Sequence, residues 1–248
     1  VSAWADELNL ILGQVKTEEK SNEITAIPEL LELIDLKGLI VTIDAMGCQK
    51  KICEKIIEQK SDYVISLKGN QSSTHEAVRD FFAMDRKSLE KYGVTETEAE
   101  CNPDHGRIEN RQYFLCTDLS WLGNREDWPG LKAVAMAKER RSVNGKTSED
   151  VRYFLTSLTD VETVKKAVRS HWGIENRLHW CLDMIFNEDY KRSRKDHGPE
   201  NMTVMRRIAL NLLRQAEKPE KKKQDSLSKR KVWFRENPSF RQSVLRLL

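Results

Sequence analysis

The chain has 248 residues, enough for one large domain or a core with an insertion, with 33% charged and 39% hydrophobic residues. Those proportions exclude a fibrous protein. No apolar run approaches the roughly 20 residues of a membrane helix and no signal-peptide pattern opens the chain, so it is read as cytoplasmic, with no membrane partner.

In chain order, VSAWADELNLILGQVK predicts two strands joined by a turn around Asp6 to Asn9. Val1 stands directly inside the first of them with no Met before it, and the chain is expected to be a fragment whose beginning is missing. NEITAIPELLELIDLKG predicts a helix with Pro28 in its first turn, Leu30, Leu31, Leu33 and Ile34 on the buried side, and Gly38 ending it. GLIVTIDAMG is a near-continuous apolar run, the pattern of a central parallel strand covered on both faces. QKKICEKIIEQK places Ile52, Ile56 and Ile57 at helical spacing, and DYVISLKGN is a second buried strand. Together these predict a mixed α/β sheet whose later strands are parallel.

After Gln71 the chain turns charged and irregular. A helix is expected around His75 to Met84, strands at Arg107 to Cys116 and Leu131 to Arg141, and a hairpin turn at Asn144-Gly145 leading into SEDVRYFLTSL. This is read as a mostly β insertion. Helical pattern resumes from Val161 to Phe186, and again from Glu200 to Ala216, where Met202, Met205, Ala209 and Leu212 form the expected core stripe. KPEKKKQDSLSKRK reads as a basic linker, and a short terminal element closes the chain. The net charge is only +3, but the 17 basic and 7 acidic residues from Asp189 to Leu248 make that part +10 and leave −7 for the rest. Such asymmetry points to a polyanionic partner at one end and a cation-binding carboxylate region at the other, a solvated basic tail being the plainer alternative. Five scattered cysteines without a Cys-x-x-Cys pair disfavour a disulfide framework or a zinc ribbon.

Two acids stand out. Asp44 follows a buried strand at its carboxyl end, where α/β sheets place ligands. Its apolar neighbours would make an unpartnered carboxylate costly, so it either meets a cation or caps the next turn. Glu175 sits in SHWGIENRLHW, where His171, Glu175 and His179 recur every four residues on one helical face. It is either functional or merely paired to Arg177 or a histidine. Trp172 and Trp180 are expected to anchor this helix in the core in preference to stacking on bases, and His179 to be a structural hydrogen-bonding group. Two carboxylates brought together from distant parts of a chain are a usual arrangement for Mg²⁺, and paired ions of this kind drive phosphodiester hydrolysis or strand transfer.

VTIDAMGCQ, DYVISLKGNQ, SHWGIENRLHW, NEDYKRSR and RRIALNLLR together resemble the catalytic domain of bacterial insertion-sequence transposases of the DDE class, in the H-repeat-associated branch. The resemblance covers essentially the whole chain. It implies an RNase H-like α/β fold, a mixed sheet with flanking helices interrupted by a β-rich insertion. It also implies two Mg²⁺ (or Mn²⁺) ions held by Asp, Asp and Glu, and cleavage and joining of DNA at the element's ends by a homodimer. On that plan 1–71 is the first part of the core, lacking its first strand, and 72–158 is the insertion. Then 159–216 holds the helices with the glutamate, and 217–248 the basic linker and terminal element.

Carried over by residue, Asp44 is the second aspartate and Glu175 the glutamate, both catalytic and metal-binding. The wider group has Tyr seven and Arg four residues before that glutamate, and Lys seven after it; here Val168, His171 and Leu182 stand there. The family's first aspartate would precede Val1, and Asp6, in the turn of the opening strand pair, is in the wrong place to substitute. The chain alone is therefore expected to be inactive or severely impaired. Contacts with DNA phosphates are expected from Lys68 and Asn70 beside the strand ends, from Arg107 and Arg111 in the insertion, from His171 and Arg177, and from Arg192, Arg194 and Lys195 beyond the glutamate helix. A non-catalytic DNA-binding remnant and a zinc hydrolase built on His171, Glu175 and His179 are the alternatives.

Overall fold

The computed structural model describes residues 1–17, 23–104, 107–143, 146–190, 192, 195–218 and 225–248. The opening strands form as expected, β1 (Ser2–Ala5) and β2 (Leu10–Gln14), joined by a turn in which Asn9 takes φ +54. They pair with each other as a two-stranded sheet. The chain divides into two units, one of Val1 and 15–171, the other of 2–14 and 172–248.

In the first unit come α1 (Glu23–Glu32), β3 (Ile40–Ile43), α2 (Lys50–Glu58), β4 (Asp62–Leu67), α3 (Ser72–Phe82) and α4 (Arg86–Lys91). They are followed by β5 (Thr95–Glu96), β6 (Glu100–Asp104), β7 (Arg107–Cys116), β8 (Ala133–Val143), β9 (Lys146–Thr156) and α5 (Val161–His171). Seven strands make one sheet in the order β3-β4-β9-β8-β7-β5, with β6 also on β7. Among the described residues only β3 and β4 run parallel, in the register Ile43 to Ile65, while β4 meets β9 antiparallel with Val64 opposite Thr156. The strands of the middle segment thus continue the sheet begun by β3 and β4. This is the mixed sheet with flanking helices of an RNase H-like α/β domain.

Apolar residues on both faces of DYVISL explain why β4 lies inside the sheet, between β3 and β9. Tyr63, Ile65 and Leu67 face one side and pack with Ile52 and Ile56 of α2 and with Val78 and Phe81 of α3, whereas Val64 faces the other. There Leu115, Ala135 and Phe154 meet Val164, Ala167 and Val168 of α5. Burying each of these larger side chains contributes about 1.5–3 kcal/mol, which is what holds helices on both faces.

Several sequence expectations need correcting. Pro28 lies inside α1, past its first turn, and Leu33 is exposed because the helix stops at Glu32, leaving Ala26, Ile27, Leu30 and Leu31 as the buried set. Strand β3 ends the strand order among the described residues and is half-exposed, not doubly covered. Asn144-Gly145 lies outside the described residues, although Val143 pairs with Lys146 across it.

In the second unit the stretch read as one helix to Phe186 contains two π-helical turns, Glu175–His179 and Cys181–Ile185. The stripe Ile174, Leu178, Cys181 and Leu182 packs with Ile11 and Leu210. Trp172 and Trp180 fall off that stripe and are 46% and 53% exposed, so they do not anchor the core. In α6 (Gly198–Gln215) the buried residues are Arg206, Leu210 and Leu213, one position round from the expected methionine stripe, because Glu188 takes both Arg206 and Arg207 inward at 3.6 and 3.1 Å. Asn211 commits both ends of its amide to Ile11, accepting from its N–H at 3.0 Å and donating to its carbonyl at 2.8 Å. Arg214 lies 4.7 Å from the Trp4 ring and donates to the Asn9 carbonyl. The terminal element is a pair of helices, α7 (Leu227–Glu236) and α8 (Pro238–Leu245), closed by Trp233 against Phe240.

Burial pushes the Cys48 and Cys53 thiols up to about 12, and Cys116 and Cys181 are also buried; Cys101 is exposed. Only a thiolate reacts, so a disulfide reagent at neutral pH should label one thiol of the five rapidly in the native protein, and Cys101→Ser should abolish that phase. A second fast thiol would contradict this packing.

Candidate active site

In the first unit the site is built around the end of β3. Asp44 follows its last residue with extended backbone, φ −65 and ψ 166, and precedes a 3₁₀ turn, Ala45–Gly47. Its carboxylate does not cap that turn, which settles the capping alternative. It accepts instead from His171, the last residue of α5, with Asp44 Oδ1 3.2 Å from Nε2. The other ring nitrogen, Nδ1, lies 3.0 Å from Thr42 Oγ1. Thr42 and Asp44 are two apart on β3 and so share one face of the strand.

The turn is braced from β4's side. Asn70 donates to the Ala45 carbonyl at 2.6 Å and Gln71 to the Cys48 carbonyl at 2.8 Å. Gly47 permits the close approach, since a Cβ there would fall 2.3 Å from Ile43 Cγ2. The Asp44 side chain is 72% exposed. The His171 hydrogen bond, with Lys68 and Arg152 adding to it against partial burial, holds its carboxyl below the usual aspartate range, so it is ionised at neutral pH.

In the second unit Glu175 is also exposed, with Oε2 3.3 Å from His179 Nδ1, as an i,i+4 pair. Its partner is thus the histidine and not Arg177, which binds Asp6 Oδ1 at 3.0 Å and reaches Asn9 Oδ1 at 3.5 Å. π-Helical turns are rare and concentrate at functional sites, and here one begins at the glutamate itself. Burial, together with Asp189, Glu188 and Glu175, pushes the Asp183 carboxyl up.

Of the residues expected to touch DNA, Lys68, Arg192 and Lys195 are exposed. Asn70 is exposed too, but its amide is committed to the turn. Arg111 is held between Glu109 at 2.7 Å and Glu139 at 3.1 Å, and His171 is turned to Thr42 and Asp44. Arg194 and the side chain of Arg107 lie outside the described residues. Among the described residues no three His, Cys, Asp or Glu side chains are gathered as a metal-binding set, so the zinc arrangement of His171, Glu175 and His179 is not assembled there. Sequence reasoning missed Thr42; its signal was a hydroxyl in an apolar strand, two positions before the acid.

The chain spans about half the length of the curated relatives it matches. It is 43% identical over 219 residues to "Putative transposase YncI" of Escherichia coli O157:H7, covering 86% of this chain and 55% of that one. To "H repeat-associated putative transposase YhhI" of Escherichia coli K12 it is 39% identical over 222 residues, covering 86% and 57%. No helix among the described residues is long and apolar enough to cross a membrane. Residues 1–212, carrying Asp44 on the rim of β3 and Glu175 at the π-helical turn, match the family described as Transposase DDE domain, and the chain belongs to that DDE-class transposase family.

Proposed function

We propose that the chain serves DNA transposition in the cytoplasm as part of a DDE transposase, supplying Asp44 and Glu175 as oxygen ligands for Mg²⁺ (or Mn²⁺) and working as a homodimer on DNA. The observation that carries this reading is Asp44. It is an ionised, exposed carboxylate at a strand's carboxyl end, engaged through Oδ1 by a histidine and not used up in capping. Hard oxygen donors on exposed carboxylates suit Mg²⁺, and Glu175 is of the same kind. When bound, paired ions of this class stabilise the attacking and leaving oxygens of a phosphodiester. The chain's own part is electrostatic: Lys68 beside Asp44 in the first unit, and Arg192 and Lys195 in the second by themselves, would hold phosphates and position the DNA without reading sequence.

A DDE centre uses three carboxylates, and Asp6 is not a third, being committed to Arg177. Strand cleavage by this polypeptide alone is therefore expected to be severely impaired. Iron-directed cleavage tests the ion site: with Fe²⁺ in place of Mg²⁺, ascorbate and peroxide cut backbone close to the ligands. Cuts around both 44 and 175, suppressed together by excess Mg²⁺, are the expected result. Cuts at one position only, or none, would remove the reading of both carboxylates as ligands, and metal-independent, salt-sensitive DNA binding would then favour a binding remnant.

A further inference from the structure

We propose that Thr42 and His171 are positioning residues, a hydroxyl and an imidazole that together fix the rotamer of Asp44 and present its second oxygen to a cation; this rests on the ion-binding reading of Asp44 above. Nε2 lies 3.2 Å from Asp44 Oδ1 and Nδ1 3.0 Å from Thr42 Oγ1. A carboxylate only accepts, so Nε2 donates to Asp44. Nδ1 meets the Thr42 hydroxyl, which can donate to it or accept from it. The hydroxyl thus holds the plane of the ring, and the ring holds the aspartate rotamer.

A plain packing role for His171 does not account for this. A helix-terminal histidine needs one carbonyl partner at most, whereas this ring meets two side chains on the same strand face, two residues apart, with its own side chain only 20% exposed. Because one Asp44 oxygen is engaged by the ring and the side chain is largely exposed, Oδ2 is the atom left for the ion. Histidines that ligate metals are held in one tautomer by an outer carboxylate; in this chain the order is inverted, with the histidine serving the carboxylate.

The test uses the full chain labelled with ¹⁵N-histidine, read by imidazole NMR, together with Mn²⁺ affinity by electron paramagnetic resonance. The wild type should show a proton held on His171 Nε2 and a ring locked in one environment. Thr42→Val should unlock the ring, seen as shifted and broadened ¹⁵N resonances, and weaken Mn²⁺ binding by about 10–100-fold, the usual effect of losing an outer partner. Thr42→Ser should keep both properties, and His171→Gln, which retains an N–H near Nε2, should bind Mn²⁺ better than His171→Ala. Adding Thr42→Val to His171→Ala should cost nothing more, since the hydroxyl acts through the ring. An unlocked ring in the wild type, or a Thr42→Val protein that binds Mn²⁺ as the wild type does, overturns the relay. A wild-type chain with a locked ring that binds no Mn²⁺ overturns the ion-binding reading, and with it the idea that the lock serves a cation.

Discussion

Asp44→Asn is expected to lower the affinity of the chain for Mn²⁺ by about 100-fold or more, since losing even an outer partner of a metal ligand costs about 10–100-fold. The substitution keeps the shape and an oxygen acceptor for His171 while removing the charge, so the fold should be untouched. Asp6→Asn should leave affinity unchanged, because that carboxylate belongs to Arg177. The pH dependence follows from the sign of the shift. Asp44's folded-state pKa is depressed, first by the His171 bond, so the carboxylate stays charged below the ordinary aspartate value of about 3.9. Whatever it adds to stability is present above that value and is lost as pH falls through the folded one. Mn²⁺ affinity measured by titration should therefore show no loss from Asp44 protonation between neutrality and about pH 4. Equal affinity in the wild type and Asp44→Asn would dismiss Asp44 as a ligand.

Phe81→Ala should destabilise the first unit by about 3–5 kcal/mol, the usual cost of emptying an aromatic site in a core. Phe81 is 1% exposed and lies face to face on Trp121 at 4.0 Å, with Phe82 and Tyr92 edge-on at 5.2 and 5.3 Å. Each such pairing adds about 0.5–1.5 kcal/mol beyond buried area. Against the roughly 5–15 kcal/mol typical of a native domain this is a large share. Urea unfolding should show a lower midpoint at unchanged slope, whereas Leu33→Ala, on an exposed side chain, should leave the midpoint where it was. A loss under about 1 kcal/mol at Phe81 would contradict the packing of α3.

Where burial and period agree, the sequence is readable. DYVISL reads as a buried strand and is one, Ile52 and Ile56 recur at helical spacing and are buried, and Asp44 stands on the strand end where an apolar run meets a turn. Misreadings arise where a tertiary partner overrides the local pattern. Trp172 and Trp180 look like anchors by size, but the π winding carries the buried stripe to Leu178 and Leu182 instead. Arg206 reads as surface in α6, yet Glu188 draws it inward. Half of the pairing around Asp44 was also hidden, since a histidine 127 positions away announces nothing about a threonine hydroxyl. The exposure of β3 was equally illegible: a run of Leu, Ile and Val looks the same whether or not a neighbouring strand covers it.

The grip of Asn211 on Ile11 joins residues 200 positions apart. Ribosomes add about 5–20 residues per second, so the opening hairpin waits roughly 10–40 s for the helix that completes its hydrogen bonds and covers Trp4 and Ile11. During that interval the aromatic Trp4 and the branched Ile11 lack the cover that α6 gives them, and a two-stranded hairpin by itself is only marginally stable in water. Synthesis of this protein thus has a built-in vulnerable period, ended only when α6 emerges, and a holdase acting early in translation would protect the yield more than one acting after release.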